Sequence, residues 1–370
     1  MQYNKLGYDA WIANCLVVLL SLGFIMVVSA SLPIAENRRL SFGYFAWHQG
    51  LHLFLGMLVA IVVSYIPMRF WHRTSNIWLM LSLFGLFVLL IPGVSREING
   101  SIRWLFIGPI SIQISDCAKI ALILYMASYL VRRHQEVKTR LSGFLKPLLV
   151  LTAFTGLLLL EPDFGAAVVM ISTVMGLLFL GGVPFIRFFV LFALVLCGLI
   201  VLSLASPYRI ERLTSFLNPW ADQFNSGYQL TQALIAFGRG GWLGVGLGSS
   251  VQKLLYLPEA HTDFLFAVLA EELGLLGGVI TLLIFSILVG RIFWLGKQAI
   301  VRQQIYSAYV AYGIGLWLGL QTLISVGVNV GLFPTKGLTL PFMSYGGSSI
   351  VVSMFAIGLL LRIDYEKRYL

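Results

Sequence analysis

Charge is what this chain of 370 residues has least of: 11% of its residues are Asp, Glu, Lys or Arg, against 59% that are hydrophobic. A water-facing fold cannot hide that much apolar surface, so a soluble globular protein is excluded and lipid must be the solvent for most of the chain. Cysteine is nearly absent as well. Cys15, Cys117 and Cys197 lie in or beside apolar segments, with neither disulfide nor metal-ligand spacing, and read as small buried hydrophobes. Also missing are low-complexity segments, internal repeats, a linker between domains, and an Ala-x-Ala site after the first apolar run. Residues 1–370 are therefore expected to form one integral-membrane domain with its first helix retained.

What the chain has in abundance is apolar sequence in runs of roughly 17 to 25 residues, long enough to cross about 30 Å of hydrocarbon as helix. The expected fold class is an all-α polytopic membrane protein of about ten transmembrane helices. The spans fall near 11–31, 47–66, 75–92, 115–131, 145–160, 164–182, 187–205, 263–291, 305–328 and 345–362. With the N-terminus inside, 15 of the 25 basic residues fall in the termini and short loops of one side, nine in the longer loops of the other, and one, Lys119, within a span. The bias toward positive charge on the cytoplasmic side then puts both termini in the cytoplasm, and explains the net charge of +10 without nucleic acid.

That orientation leaves a large extracytoplasmic loop, residues 206–262, between helices 7 and 8. Within it Leu230, Leu234 and Phe237 recur at helical spacing before Gly238, which predicts a short amphipathic helix along the membrane interface. Gly240, Gly241, Gly244, Gly246 and Gly248 follow, and fit tight turns or close backbone approach better than a phosphate cradle, since no strand precedes them.

Ionisable side chains inside lipid are expensive and mark interiors or wet cavities. Asp116 and Lys119 lie three apart on one helix face, as an internal ion pair or a contact for an anionic substrate. Glu161 and Asp163 form an acidic corner in Glu161-Pro162-Asp163-Phe164-Gly165, where Asp163 either caps the next helix or shapes a cavity. Glu271 and Glu272 point about 100° apart, so at least one is expected to be structural. Asp263, just before an apolar run, has by pattern alone the look of an N-cap more than of a catalytic group. Glu259, His261 and Asp263 at alternate positions make only a weak metal pattern.

The combination of motifs is more specific than any one of them. Leu257-Pro258-Glu259-Ala260-His261-Thr262-Asp263-Phe264 with Glu271-Glu272-Leu273-Gly274 resembles the signature of the SEDS family of peptidoglycan polymerases. So do Asn99-Gly100 with Arg103-Trp104, the acidic corner, Asn218-Pro219-Trp220, Ser226-Gly227-Tyr228-Gln229-Leu230-Thr231-Gln232, Ala236-Phe237-Gly238-Arg239-Gly240, and Lys336-Gly337-Leu338-Thr339-Leu340-Pro341-Phe342-Met343-Ser344-Tyr345. The Ala after Pro-Glu and the Tyr-Gln-Leu-Thr-Gln segment are more similar to the cell-division branch of that family than to its elongation branch. Two positions depart from it: Ile114-Ser115-Asp116 stands where the family usually has Pro-Ser-Glu, and Ile102 where a second arginine is common.

The resemblance implies a ten-span fold and an inverting glycosyl transfer at the outer face of the cytoplasmic membrane, at the division septum. The implied substrate is lipid II, a disaccharide-peptide on undecaprenyl pyrophosphate. Asp263 would be the general base, with Glu259 and His261 as its supporting shell. Lys119, Arg209, Arg212, Arg239, Lys253 and Lys336 are the cations available to a pyrophosphate, and Arg103, Asp116, Glu161, Asp163 and Ser344 complete the set expected to face substrate. A divalent cation, Mg or Mn, is compatible with this chemistry although no closed ligand set is visible, and no organic cofactor is implied. The implied partners are a class B penicillin-binding protein, the cross-linking transpeptidase, and other membrane proteins of the division machinery. A lipid II flippase or a non-catalytic scaffold are the competing readings.

Overall fold

The computed structural model describes residues 8–91, 93, 95–98, 101–107, 110–204, 214–335 and 337–369. In chain order the elements are α1 (Ala10–Asn37), α2 (Tyr44–Tyr65), α3 (Met68–Leu89), β1 (Ser95–Ile98), β2 (Ser101–Ile107), β3 (Ile110–Gln113), α4 (Ile114–Arg132), α5 (His134–Thr139), α6 (Leu141–Leu160), α7 (Phe164–Leu180) and α8 (Phe185–Leu204). Beyond these come α9 (Tyr228–Gly240), α10 (Leu265–Val301), α11 (Ile305–Asn329) and α12 (Gly347–Tyr369). Each of the ten expected spans falls on a helix. Seven of them, α1, α2, α4, α6, α10, α11 and α12, are long and apolar enough to cross a membrane by length and composition. Large apolar side chains such as Trp11, Phe54, Ile61, Phe84 and Leu283 point outward, which only a hydrocarbon environment tolerates. Of the cysteines, Cys15 is buried as expected, whereas Cys117 and Cys197 face outward, because lipid accepts a thiol as readily as a core does.

The helices share one contiguous core, and the two ends of the bundle differ. At one end Asp9 caps α1 by accepting from the Trp11 N–H at 3.0 Å and pairs with Arg291, while Glu366 accepts from the Met68 N–H at 2.9 Å. Asp9 and Glu366, near the first and last of the described residues, therefore lie at this end. At the opposite end α4, α7, α10 and α12 all begin and α11 finishes.

Two local features were not legible as such. The segment before α4 is a three-stranded antiparallel meander, β1-β2-β3, with Trp104 opposite Gln113 and Leu105 opposite Ile112. Its β2 sequence, Ser101-Ile102-Arg103-Trp104-Leu105-Phe106-Ile107, is rich in β-branched and aromatic residues, and the Asn99-Gly100 pair before it is a hairpin signal in the sequence.

The other feature is a break in α10 at Gly274, where φ is 70° and ψ −172°. The carbonyls of Glu271 and Glu272, released by the break, accept from Val245 N and Gly246 N at 3.0 Å each. In return, Leu275 N and Leu276 N donate to the carbonyls of Gly241 and Trp242 at 2.9 and 3.1 Å. The glycine run thus serves close backbone pairing with the helix break. Residues 265–272 are wholly buried, and outward-facing apolar positions begin at Leu275, so the lipid-facing span starts later than the expected 263. α9 follows the expected amphipathic pattern, but its apolar face is spent on protein: Leu230, Ala233 and Ala236 are buried and the Phe237 ring lies 6.0 Å from that of Phe266.

Candidate active site

Asp263 sits half-buried at the start of α10, at the end of the bundle away from the termini. The residue capping that helix is Phe264, not Asp263. The side-chain oxygen at the helix start comes instead from Asn329, fully buried at the end of α11, whose Oδ1 accepts from the Ala267 N–H at 3.1 Å. The same amide donates through Nδ2 to the Asp263 carbonyl at 2.9 Å and to the Ser325 carbonyl at 2.8 Å. One side chain therefore fixes the backbone of Asp263 relative to the helix behind it.

The preceding turn is held as tightly. Glu259 adopts φ 57°, and its carbonyl accepts from Thr262 N and Phe264 N, both at 3.2 Å. Its carboxylate accepts from the Thr262 hydroxyl at 2.8 Å. A non-glycine residue in the left-handed region costs on the order of 1 kcal/mol, which these bonds offset. Ser344 donates to the Thr262 carbonyl at 2.6 Å and accepts from Leu340 N at 2.9 Å, and the Tyr345 N–H donates to the His261 carbonyl at 2.9 Å. The His261 ring packs between Phe45 and Tyr345, with centroids 5.3 and 5.5 Å away, and burial holds it below the ordinary histidine range, with Glu259 opposing the shift. Glu259, His261 and Ser344 thus brace the turn that presents Asp263.

Gly337 forms the floor beside the carboxylate. A Cβ placed on it would stand 2.8 Å from Asp263 Oδ2 and 3.9 Å from Arg103 Nη1, so the absence of a side chain here keeps open the space beside both groups. Arg103, on β2, donates through Nη2 to the Pro162 carbonyl at 2.7 Å and lies 3.8 Å from Asp163 through Nε. Asp163 caps α7, its Oδ1 accepting from Ala166 N at 3.2 Å while its Oδ2 faces Arg103. Gly337→Ala is expected to displace the Asp263 carboxylate by a few tenths of an ångström and lower turnover about tenfold to a hundredfold. Its melting temperature should stay near wild type, because the atom displaced belongs to a side chain and not to the backbone; activity and thermal unfolding measured side by side check this.

Glu161, at the corner between α6 and α7, is fully buried, and neither carboxyl oxygen has a hydrogen-bond partner among the described residues. Burial first, then the neighbouring Asp163, pushes its carboxyl up to about 8, with Arg103 pulling the other way. A raised folded-state value means that the contribution is intact below the unfolded value of 4.5 and is lost as pH rises through about 8. Glu161→Gln should therefore melt with wild type near pH 5 and above it by on the order of 5 °C near pH 9, as a melting series over pH would record.

The second polar cluster starts on α4. Lys119 Nζ donates to Asp116 Oδ1 at 2.7 Å and to Gln321 Oε1 at 3.2 Å, and lies 5.7 Å from the Trp317 ring. Gln321 also accepts from the Trp317 indole at 2.7 Å and donates to the Thr339 carbonyl at 2.9 Å. The Asp116–Lys119 pair is thereby tied to the segment that carries Gly337. Lys253 and Arg239 belong to a separate network. Lys253 donates to Ser29 Oγ at 2.8 Å and to Glu272 at 2.7 Å, whereas Glu271 faces Arg239 at 3.5 Å and accepts from Val251 N at 3.0 Å. The two glutamates point to different partners, as their helical offset requires. Arg209, Arg212 and Lys336 lie outside the described residues. Asn329 and Gln321 belong to none of the motifs above, and Gly337 stands in one of them without an assigned role. The first two had a usable signal, a carboxamide stranded in an apolar span.

Among the described residues no three His, Cys, Asp or Glu side chains are grouped to hold a metal ion. The described side chains therefore do not by themselves form a site for a divalent cation.

A helical bundle with a lipid-facing surface and a carboxylate–guanidinium site at one end defines a polytopic membrane protein with a one-ended polar centre. The chain matches the family model of the FtsW, RodA and SpoVE cell cycle proteins over residues 10–369, and it belongs to that family. It is 55% identical over 361 residues to the probable peptidoglycan glycosyltransferase FtsW of Coxiella burnetii, covering 97% of each chain. To the protein of the same description from Legionella pneumophila it is 50% identical, covering 98% of this chain and 92% of the relative. Among solved structures it is similar to a chain of a peptidoglycan synthase complex described as coordinating polymerization and crosslinking, with TM-score 0.82, 29% identity and coverage of 98% and 99%. The Thermus thermophilus rod shape determining protein RodA matches over the full length of both chains at TM-score 0.72 and 28% identity.

Proposed function

We propose that the chain is a peptidoglycan glycosyltransferase that polymerises lipid II, with Asp263 as general base. The observation carrying this is that the Asp263 carboxylate and the Arg103 guanidinium both border the space beside Gly337. Around them four helices begin, and helix N-termini favour negative charge such as a pyrophosphate leaving group. In the step, Asp263 takes the proton from the 4-hydroxyl of the acceptor sugar. The freed oxygen forms a bond to the donor's anomeric carbon, and the bond from that carbon to undecaprenyl pyrophosphate breaks. A single displacement inverts the configuration, and Arg103 stabilises charge that develops beside the base.

The orientation that suits this chemistry puts the Asp263 end on the outer face of the cytoplasmic membrane and both termini in the cytoplasm. The basic residues concentrated at the terminal end support it. The likeness to a chain from a synthase complex supports a cross-linking partner, a class B penicillin-binding protein, with other membrane proteins of the septum. Incubating the purified full chain with lipid II, with and without the transpeptidase, should give glycan polymer on a gel. Movement of lipid II across vesicle membranes with no polymer under any condition would establish the flippase reading instead.

A further inference from the structure

At the end of the bundle opposite Asp263, a cavity of about 500 Å³ opens between α3 and α4, lined by Asn76, Leu79, Met80, Tyr125, Tyr129, Arg132 and Arg133. Its cations are not equivalent. Arg133 is engaged by Glu136, which also faces Lys146 at 3.7 Å. Arg132, in the last turn of α4, is exposed and donates to Asn76 Oδ1 at 3.3 Å, and no carboxylate pairs with it among the described residues. A guanidinium has five N–H donors in a planar fork matched to phosphate, so most of its capacity is unused here.

The cavity changes character with depth. Tyr125 lies seven residues up α4 from Arg132, about 10 Å along the axis, and Leu79 is one turn beyond Asn76 on α3. The mouth is cationic and the interior apolar. The wall is open to lipid as well, since Met80 and Leu81 are 64% and 55% exposed on the bundle surface. An anion with a hydrocarbon continuation fits such a site, whereas a free anion would leave the apolar depth unfilled.

We propose that this cavity binds an anionic phospholipid of the leaflet facing away from Asp263. Arg132 holds the phosphate, Asn76 steadies the guanidinium, and Leu79, Met80 and Tyr125 cover the first carbons of an acyl chain. The site is independent of the glycosyl-transfer reading: α4 carries Asp116 and Lys119 near its other end, so an occupant would brace the helix from the far leaflet.

Native mass spectrometry of the full chain in neutral detergent tests this, with phosphatidylglycerol, cardiolipin, phosphatidylethanolamine or inorganic phosphate added separately. Phosphatidylglycerol and cardiolipin should be retained with about tenfold preference over phosphatidylethanolamine and should raise the melting temperature. Arg132→Gln should lower that retention about tenfold. Met80→Trp, which fills the apolar depth and leaves the cation in place, should lower it too, so the test survives if one variant fails to fold. Equal retention of phosphatidylethanolamine, undiminished binding in a folded Arg132→Gln protein, or an equal melting shift from inorganic phosphate would each overturn the proposal.

Discussion

Asp263→Asn should lower glycan synthesis about 10²- to 10⁴-fold, the usual contribution of a general base, while leaving the fold in place. The substitution is nearly isosteric, and the contacts that position the residue are made by its backbone. Asn329 Nδ2 holds its carbonyl at 2.9 Å, and the turn before it is pinned through the Thr262 and His261 carbonyls by Ser344 and Tyr345. None of these depends on the carboxylate. What is lost is the basicity of the carboxylate beside Gly337. A gel assay of lipid II polymerisation beside a melting curve separates the two effects. Activity above about a tenth of wild type would move the base elsewhere, with Asp163 and Glu161 the next carboxylates to examine.

Gly244→Ala should be strongly damaging, destabilising by roughly 4 kcal/mol or more. Gly244 has φ 82°, where an L side chain is strained, and a Cβ there would lie 2.2 Å from the Glu272 carbonyl oxygen and 2.6 Å from Gly274 N. Those are backbone atoms of the α10 break and cannot rotate away. Relief would require parting the loop from the helix, with loss of the Val245 and Gly246 bonds to the Glu271 and Glu272 carbonyls. Gly246 is the control. Its φ is 100°, but the nearest atom to an added Cβ is the Ser249 hydroxyl at 3.8 Å, so Gly246→Ala should cost only about 1 to 2 kcal/mol of backbone strain. Thermal unfolding of the two purified variants should therefore differ clearly, and equal melting temperatures would refute close backbone pairing as the use of this glycine run.

The glycines show where sequence reading stops. Their crowding in 240–248 announces tight turns or close approach, yet nothing in the run names the α10 break as the element approached. The carboxylates behave similarly. Adjacent glutamates at 271 and 272 must diverge on any helix, which was legible, but that one would take Ser250 and Arg239 and the other Lys253 and Ser29 was not. Lys253 and Arg239 looked available to a pyrophosphate because a sequence shows charges without their partners. For Asp263, pattern alone favoured an N-cap. The structure gives the cap to Phe264 and the supporting oxygen to Asn329, which stands 66 residues further on.

By itself the sequence determined the class of the protein, the placing of ten apolar spans on helices, and the stretch around Asp263. These follow from hydropathy, helical period and motif, which act over tens of adjacent residues and persist whatever the chain packs against. Only the tertiary structure decided the break at Gly274, the open floor at Gly337, the amide brace of Asn329 and the partners of Lys119, Arg239 and Lys253. Each of these is a contact between segments distant along the chain. Its energy depends on angstrom-scale distances and on the loss of water, and neither quantity exists until the helices have come together.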